Sequence, residues 1–181
     1  MGENEMIQAI LEGDERAFKL LVDNYQLMVV NTCYAFVHQE DDARDIAQDV
    51  FVQVYESLGA FKFKSKLSTW IYRIAVNKSI NFCRSSRGRT RVVNIEKWNM
   101  QQELSSDDLL PQEELEREEE RSLLHRAIDT LPEKQRAALL LHRYEDLSYK
   151  EIAEVMGISL ASVESLLFRA KQNLEKQIIN G

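Results

Sequence analysis

One stretch of the sequence gathers side chains that can bind a nucleic acid strand. Residues 60–91 hold nine Lys or Arg and no Asp or Glu, although the chain carries a formal net charge of −7. Within this window, the segment TWIYRIAVNKSINFCR (69–84) has helical periodicity. At about 100° per residue, one edge of this helix collects five side chains, Trp70, Arg73, Asn77, Asn81 and Arg84. Amides hydrogen-bond to base edges, guanidinium groups bind phosphates and an indole stacks on a base, so this edge predicts contact with nucleic acid.

The loop before this helix adds basic residues interleaved with aromatic ones. Its sequence, AFKFKSKLS, contains Phe61, Lys62, Phe63, Lys64 and Lys66. Such interleaving suits a single strand, because bases stack on the rings while the ammonium groups follow the phosphates. The alternative is that the aromatic side chains belong to the hydrophobic core and the lysines are only solvated.

A second pattern typical of DNA binding lies near the C-terminus. The segment LSYKEIAEVMGISLASVESLLFRAKQNL (147–174) has the layout of a helix-turn-helix, with Ala153 at the crossing, Gly157 in the turn and Val163 facing inward. Its second helix would present several residues to a groove or a phosphate, namely Ala161, Ser162, Ser165, Arg169 and Lys171. Glu164 lies among them and is unfavourable toward a polyanion. A helical hairpin without a role in DNA binding is the alternative.

Helical periodicity also dominates the rest of the chain. Two Pro and six Gly in 181 residues argue against an all-β fold, which needs many turns. We predict helices at 3–12, 14–38, 40–58, 66–86, 113–130, 133–144, 148–156 and 160–178. The polar residues 87–116 indicate a linker, whose acidic end is either a solvated first helical turn or a DNA-mimicking or autoinhibitory segment. The predicted fold is all-α, with two small helical domains joined by a flexible acidic linker.

The sequence offers little for catalysis or for binding a metal. Cys33 and Cys83 form no CxxC pair, and His38, His125 and His142 have no ligand or triad spacing. We therefore expect no disulfide framework, no metal, no cofactor and no enzymatic activity. The acidic N-terminus has no apolar signal segment, and no window approaches 18 continuous apolar residues. These features favour a reducing cytosol and no membrane insertion.

Two long segments together resemble a known family. DARDIAQDVFVQVYESLGAFKFKSKLSTWIYRIAVNKSINFCR (42–84) resembles region 2 of the extracytoplasmic-function (ECF, group 4) sigma factors, which belong to the bacterial sigma-70 family. LPEKQRAALLLHRYEDLSYKEIAEVMGISLASVESLLFRAK (131–171) resembles region 4 of the same proteins. The order of the segments and the acidic linker between them also match, and the resemblance covers residues 5–178.

The resemblance implies a transcription initiation factor that binds core RNA polymerase, melts the −10 promoter element with region 2 and reads the −35 duplex with region 4. The implied polymerase contacts match the family's D..QD pattern and are Asp45, Gln48 and Asp49. The implied −10 contacts are Phe61, Lys62, Lys64, Lys66, Trp70, Arg73, Asn77, Asn81 and Arg84, with the two amides at the bases. The implied −35 contacts are Ser148, Ala161, Ser162, Glu164, Ser165, Arg169 and Lys171. A carboxylate in the acid-free window would repel the opened strand, which accounts for its absence there.

The family also implies domain limits and partners. Region 2 is expected at residues 1–90, the linker at 91–115 and region 4 at 116–181. The expected partners are core RNA polymerase, promoter DNA as a −35 duplex and a melted −10 strand, and an anti-sigma factor. The free chain is expected to be a monomer in the bacterial cytoplasm.

Two rival interpretations explain less of the sequence. A stand-alone helix-turn-helix regulator of duplex DNA accounts for the C-terminal part and leaves residues 40–84 unexplained. A magnesium-dependent enzyme of the prenyl-transferring type would use DDARD (41–45) to hold diphosphate. That enzyme would need a second acidic motif and a longer chain, and the sequence has neither.

Overall fold

A computed structural model describes residues 2–86 and 111–180, and within these ranges the chain is helical without any strand. The predicted all-α class is therefore confirmed. The helices are α1 (Glu3–Leu11), α2 (Glu15–Val37), α3 (Glu40–Ser57), α4 (Leu67–Ser86), α5 (Pro111–Asp129), α6 (Glu133–Tyr144), α7 (Tyr149–Met156) and α8 (Leu160–Asn180). A 3₁₀ turn, Leu58–Ala60, follows α3. We call residues 2–86 the N-terminal half and residues 111–180 the C-terminal half.

The observed helix limits lie within two residues of the predicted ones. The largest differences are that α5 begins at Pro111 rather than at 113 and that α8 ends at Asn180 rather than at 178. Proline is favourable at the first position of a helix, because its fixed φ is already helical and its missing N–H would have no partner there. Most of the predicted linker, 87–116, lies outside the described residues.

Local hydrogen bonds explain where several helices begin and end. The Asp14 carboxylate accepts from the backbone N–H of Arg16 at 2.8 Å and so begins α2. A capping box begins α7: the Glu151 N–H donates to Ser148 Oγ at 3.2 Å, and the Ser148 N–H donates to Glu151 Oε2 at 2.9 Å. Gly157 ends α7 with φ of 66°, a conformation that costs glycine little.

The two halves of the chain share one hydrophobic core. In the N-terminal half, α2, α3 and α4 pack on one another around fully buried side chains that include Leu21, Val50 and Ile71. In the C-terminal half, α8 packs against α5, α6 and α7 around Leu140 and Ile152. Contacts of α4 with α7 and of α2 with α6 join the buried residues into one continuous cluster. The halves are therefore docked on each other.

None of the helices in the described ranges combines the length and apolarity that crossing a membrane requires. No group of three or more His, Cys, Asp or Glu side chains in the same ranges could hold a metal ion.

Candidate nucleic-acid interface

The edge of α4 is exposed where the sequence predicts it. We call Trp70, Arg73, Asn77, Asn81 and Arg84 the α4 edge. The two amides and the two guanidinium groups are exposed, and Trp70 is half-buried. The opposite side of the helix enters the core through fully buried side chains such as Ile71 and Ala75. The 3.6-residue period of α4 thus separates an apolar side from a side able to bind nucleic acid.

An aromatic cluster borders the α4 edge. The ring centroid of Phe61 lies 4.9 Å from that of Phe63 and 5.3 Å from that of Trp70. Phe61 is only 9% exposed and belongs to the core, so it supports the other two rings rather than offering a free face. Phe63 is 56% exposed. The loop pattern contains both rings, but the implied −10 contacts include Phe61 and omit Phe63; interleaving alone does not tell which ring is buried.

The Phe63 backbone adopts φ of 55°, which non-glycine residues seldom do. This left-handed turn directs the chain out of the 3₁₀ turn and into the loop before α4. The loop lysines Lys62, Lys64 and Lys66 are all exposed, as a solvated or phosphate-binding role requires. Lys66 Nζ lies 3.7 Å from Glu151 Oε1 of the C-terminal half.

The two arginines of the α4 edge bind groups of the C-terminal half, which the sequence did not indicate. Arg73 Nε donates to the Val155 carbonyl oxygen at 3.0 Å, and its Nη2 donates to the carbonyl of Glu154. Arg84 Nε and Nη2 donate to the two carboxylate oxygens of Glu133, at 2.7 and 2.5 Å. The hydrogen bonds to Glu133 raise the pKa of Arg84. Both guanidinium groups are thus engaged by oxygen acceptors of the same chain.

A second group of polar contacts between the halves lies beside the α4 edge. The Tyr72 hydroxyl donates to Glu145 Oε2 at 2.8 Å, and Thr32 Oγ1 lies 3.2 Å from Glu145 Oε1. Thr32 and Tyr72 are buried. Burial raises the pKa of Glu145, whereas the hydrogen bonds from Tyr72 and Thr32 lower it. Burial, together with the Glu145 charge, also raises the pKa of Tyr72. The segment between α6 and α7 is therefore tied to α2 and α4.

A histidine pair forms the third contact between the halves. His38 follows the last residue of α2, and its Nε2 lies 2.9 Å from Asp129 Oδ1. The His38 ring stacks on the His125 ring, with centroids 4.6 Å apart. The Asp129 carboxylate also lies 3.9 Å from Arg136 Nη1. Burial and, secondly, the neighbouring His38 lower the pKa of His125 to about 4. The His125 ring is therefore neutral at pH 7.

The candidate polymerase contacts form a separate surface on α3. We call Asp45, Gln48 and Asp49 the α3 face, and all three side chains are exposed. The next helical turn exposes Val52 at 56% and Tyr55 at 54% on the same side of the helix. The D..QD pattern does not include these two residues. The signal that could have found them is helical spacing, because Val52 is i+4 from Gln48 and i+3 from Asp49, and Tyr55 is i+7 from Gln48 and i+3 from Val52.

The candidate −35 contacts lie on the outer side of α8. We call Ala161, Ser162, Glu164, Ser165, Arg169 and Lys171 the α8 face, and all six are exposed. The Ser162 N–H donates to Ser159 Oγ at 3.2 Å, which begins the helix. Ser148 is exposed too, but its hydroxyl accepts the capping hydrogen bond of α7. Leu166 is 7% exposed and packs in the core, and Phe168 is exposed beside the face.

Comparisons with known proteins agree with this division of the chain. The family model Sigma-70 region 2 matches residues 21–89, and the family model Sigma-70, region 4 matches residues 121–174. The RNA polymerase sigma-H factor of Pseudomonas aeruginosa is 34% identical and covers 97% of this chain and 93% of its own length. The ECF RNA polymerase sigma factor SigW of Bacillus subtilis is 30% identical, over 95% of this chain and 94% of its own length.

The fold is also found in solved structures. The sigma factor RpoE of Bartonella quintana, solved in complex with the anti-sigma factor NepR, superposes with a TM-score of 0.62 at 18% identity over 89% of this chain and 96% of its own. At that identity the likeness concerns the fold alone. The sequence relatives carry the assignment, because they are 30% and 34% identical along almost the whole length. The chain belongs to the ECF sigma factors of the sigma-70 family.

Proposed function

We propose that this sigma factor divides transcription initiation among three surfaces. Core RNA polymerase binds at the α3 face, the melted −10 strand at the α4 edge and the −35 duplex at the α8 face. The observation that carries the proposal is the exposed α4 edge, where two amides and two guanidinium groups lie together without an acid on the helix. A stand-alone helix-turn-helix regulator would bind duplex DNA through its helix-turn-helix and would not need this second surface.

At the α4 edge we assign different work to the amides and to the arginines. Asn77 and Asn81 are short and exposed and read bases through directed hydrogen bonds. Arg73 and Arg84 are longer and bind phosphates. Trp70, supported from below by the buried Phe61, meets the last stacked base pair. Phe63 and the loop lysines receive the flipped base and its phosphates, and stacking on an aromatic ring offsets part of the unstacking free energy.

At the α3 face, Asp45 and Asp49 offer negative charge to a basic polymerase surface, and Gln48 hydrogen-bonds to it. The exposed Val52 and Tyr55 extend this surface with apolar area. Such a mixed surface gives orientation through its charges and affinity through its apolar residues.

The proposed domains are region 2 at residues 1–90 and region 4 at residues 116–181. The linker of residues 91–115 lets the two regions reach separated promoter elements.

The control and location of the protein follow from its class of partner. An anti-sigma factor that covers the polymerase and DNA surfaces holds the chain inactive, as the complex of the Bartonella quintana relative suggests. The chain acts in the cytoplasm, where polymerase and promoters are found, and is a monomer when free. It has no enzymatic activity of its own, because the catalytic centre for RNA synthesis belongs to the polymerase.

The test is run-off transcription of fragmented genomic DNA with core polymerase, in the presence and absence of the chain. We expect discrete start sites that share −10 and −35 sequences and that need both components. Specific duplex binding that is complete without core polymerase, together with no specific initiation, would favour the stand-alone regulator instead.

A further inference from the structure

The α4 edge is the surface most suited to a DNA strand, and it is also where the C-terminal half is docked. The contacts are of two kinds. Arg73, Arg84 and Lys66 meet oxygen acceptors of the C-terminal half. Beside them, Tyr72 and Thr32 hold Glu145, and neither residue belongs to the proposed DNA surface.

The acceptors that meet the arginines resemble those of a phosphate strand. Glu133 presents two carboxylate oxygens to the Arg84 fork, which is the bidentate geometry that a phosphate also offers. Arg73 binds the carbonyls of Glu154 and Val155 in the last turn of α7. That turn is the negative end of the helix dipole, and its carbonyls lack partners within the helix. Arg73 and Arg84 each commit Nε and Nη2 to these acceptors, so the pair of donors that would bind a phosphate side-on is already occupied.

Charge complementarity extends beyond the arginines. The window of residues 60–91 contains no acid, yet the C-terminal half brings Glu133, Glu145 and Glu151 to it. The buried Tyr72 and Thr32 fix the position of Glu145 by hydrogen bonds. The two halves are therefore held in one defined relative position, and not only by attraction between opposite charges.

We propose that the free chain inhibits itself, because the C-terminal half occupies the α4 edge as a substitute for the −10 strand. The −10 strand and the C-terminal half compete for the same two arginines, so the strand binds only after the halves separate. The α3 face and the α8 face stay exposed in this closed state. Binding to polymerase or to a −35 duplex can therefore precede opening. This inference rests on the proposed role of the α4 edge.

The experiment measures binding of a labelled single strand, about 12 nucleotides long, that carries the −10 sequence found by run-off transcription. Fluorescence anisotropy is recorded with the full chain and its variants. Glu133→Ala frees Arg84, and Tyr72→Phe removes the hydrogen bond to Glu145; neither residue is a proposed DNA contact. We expect each variant to bind the strand about two- to fivefold more tightly, the size expected for one partly exposed ion pair or hydrogen bond.

Glu118→Ala is the matched control. It removes one negative charge from an exposed position of α5, so a gain that came only from net charge would appear in it as well. Glu133 lies in the first turn of α6, where an acid also favours the helix dipole. Glu133→Gln, which keeps the length of the side chain, and thermal unfolding of every variant separate release of Arg84 from loss of α6.

The outcomes distinguish this inference from the function on which it rests. Tighter binding by Glu133→Ala, Glu133→Gln and Tyr72→Phe, with Glu118→Ala unchanged, supports self-inhibition. Equal affinity of all folded variants for the strand overturns self-inhibition and leaves the α4 edge as the −10 surface. If no variant binds the strand while run-off transcription succeeds, the −10 assignment of the α4 edge fails, and the inference fails with it.

Discussion

The α4 edge and the α8 face are both exposed helical surfaces with residues able to contact DNA, but they differ in charge and in partners. The α4 edge has two arginines, no acid and three lysines in the loop beside it, and the C-terminal half is docked on it. The α8 face has Arg169 and Lys171 opposed by Glu164, and all its members are exposed. Affinity for a polyanion depends on the phosphate contacts that a surface can make. The α4 edge, which has the stronger positive charge, is thus the surface covered by the C-terminal half. The α8 face is uncovered, and we expect its affinity for DNA to be low.

The difference gives the chain an order of events. The proposed −35 and polymerase surfaces are exposed, so they can make the first contacts without separation of the halves. The proposed −10 surface becomes available only when the acceptors of the C-terminal half are displaced from its arginines. Polymerase binding raises the local concentration of promoter DNA, which supplies the affinity that the α8 face lacks.

The largest effect is expected at the α3 face, which serves as the reference because neither DNA surface overlaps it. Replacing Asp45 and Asp49 together by Ala should lower affinity for core polymerase about tenfold, and more at low salt, because two exposed charges are lost. A pull-down or anisotropy titration with core enzyme measures this. Glu133→Ala is the control and should bind polymerase like the wild type. Unchanged retention of the folded double variant would show that polymerase binds elsewhere.

The next effect sharpens the division of work within the α4 edge. Asn77→Ala and Asn81→Ala should each change the preferred −10 base, since one well-placed hydrogen-bonding pair contributes about 1–3 kcal/mol of discrimination. Arg73→Ala and Arg84→Ala should instead lower output from all promoters by a similar factor, because a phosphate contact carries no base information. Transcription of a randomised −10 library reports both properties at once. A uniform loss with the two amide variants, at unchanged base preference, would contradict the division.

A smaller effect tests the weakness of the α8 face. Glu164→Lys in the full chain should bind −35 duplexes several-fold more tightly, because one repulsive charge becomes one phosphate contact. Binding should also fall more steeply with salt. Glu118→Lys, at an exposed acid on α5 of the C-terminal half, controls for net charge. If Glu164→Lys binds better overall but loses one preferred base, then Glu164 reads that base. No gain in affinity at all would refute the role of charge.

The smallest effect concerns pH and the contact between the halves. His125 has its pKa lowered to about 4, against an ordinary value near 6.5, so its neutral ring contributes stability above pH 6.5 that is lost as the pH falls toward 4. The raised pKa of Glu145 acts in the opposite direction, because the folded chain takes up that proton first. Between pH 7 and pH 5, the melting temperature should therefore fall less in His125→Gln than in the wild type. It should fall more in Glu145→Gln than in the wild type. The differences should be a few degrees, and identical slopes would contradict the assignment.

The helices and the exposed sides of α3, α4 and α8 could be predicted because they follow from local rules. Periodicity places Asn77 and Arg84 opposite Ile71, and the capping box at Ser148 is a short-range pattern. Even the burial of Leu166 follows from its position in a helix-turn-helix. For the same reason the helix limits differ from prediction by no more than two residues.

The partners of those sides could not be predicted, since they join distant parts of the chain. Glu133 meets Arg84 across 49 positions, and Arg73 binds backbone carbonyls, which no side-chain pattern reveals. The choice between Phe61 as core and Phe63 as exposed ring depends on the left-handed turn at Phe63. The local positive charge indicated a polyanionic partner. It could not show that acidic residues of the same chain contact the α4 edge and its loop in the free protein.

The most direct test of this account measures the distance between the two halves. Spin labels at Gln26 in α2 and Gln172 in α8 would occupy exposed positions outside the α3 face, the α4 edge and the α8 face. Pulsed electron paramagnetic resonance measures the distance between the two labels. We predict one narrow distance distribution in the free chain, and a longer, broader one once the −10 strand saturates it. An unchanged distance with the strand fully bound would show that the α4 edge and the C-terminal half do not compete.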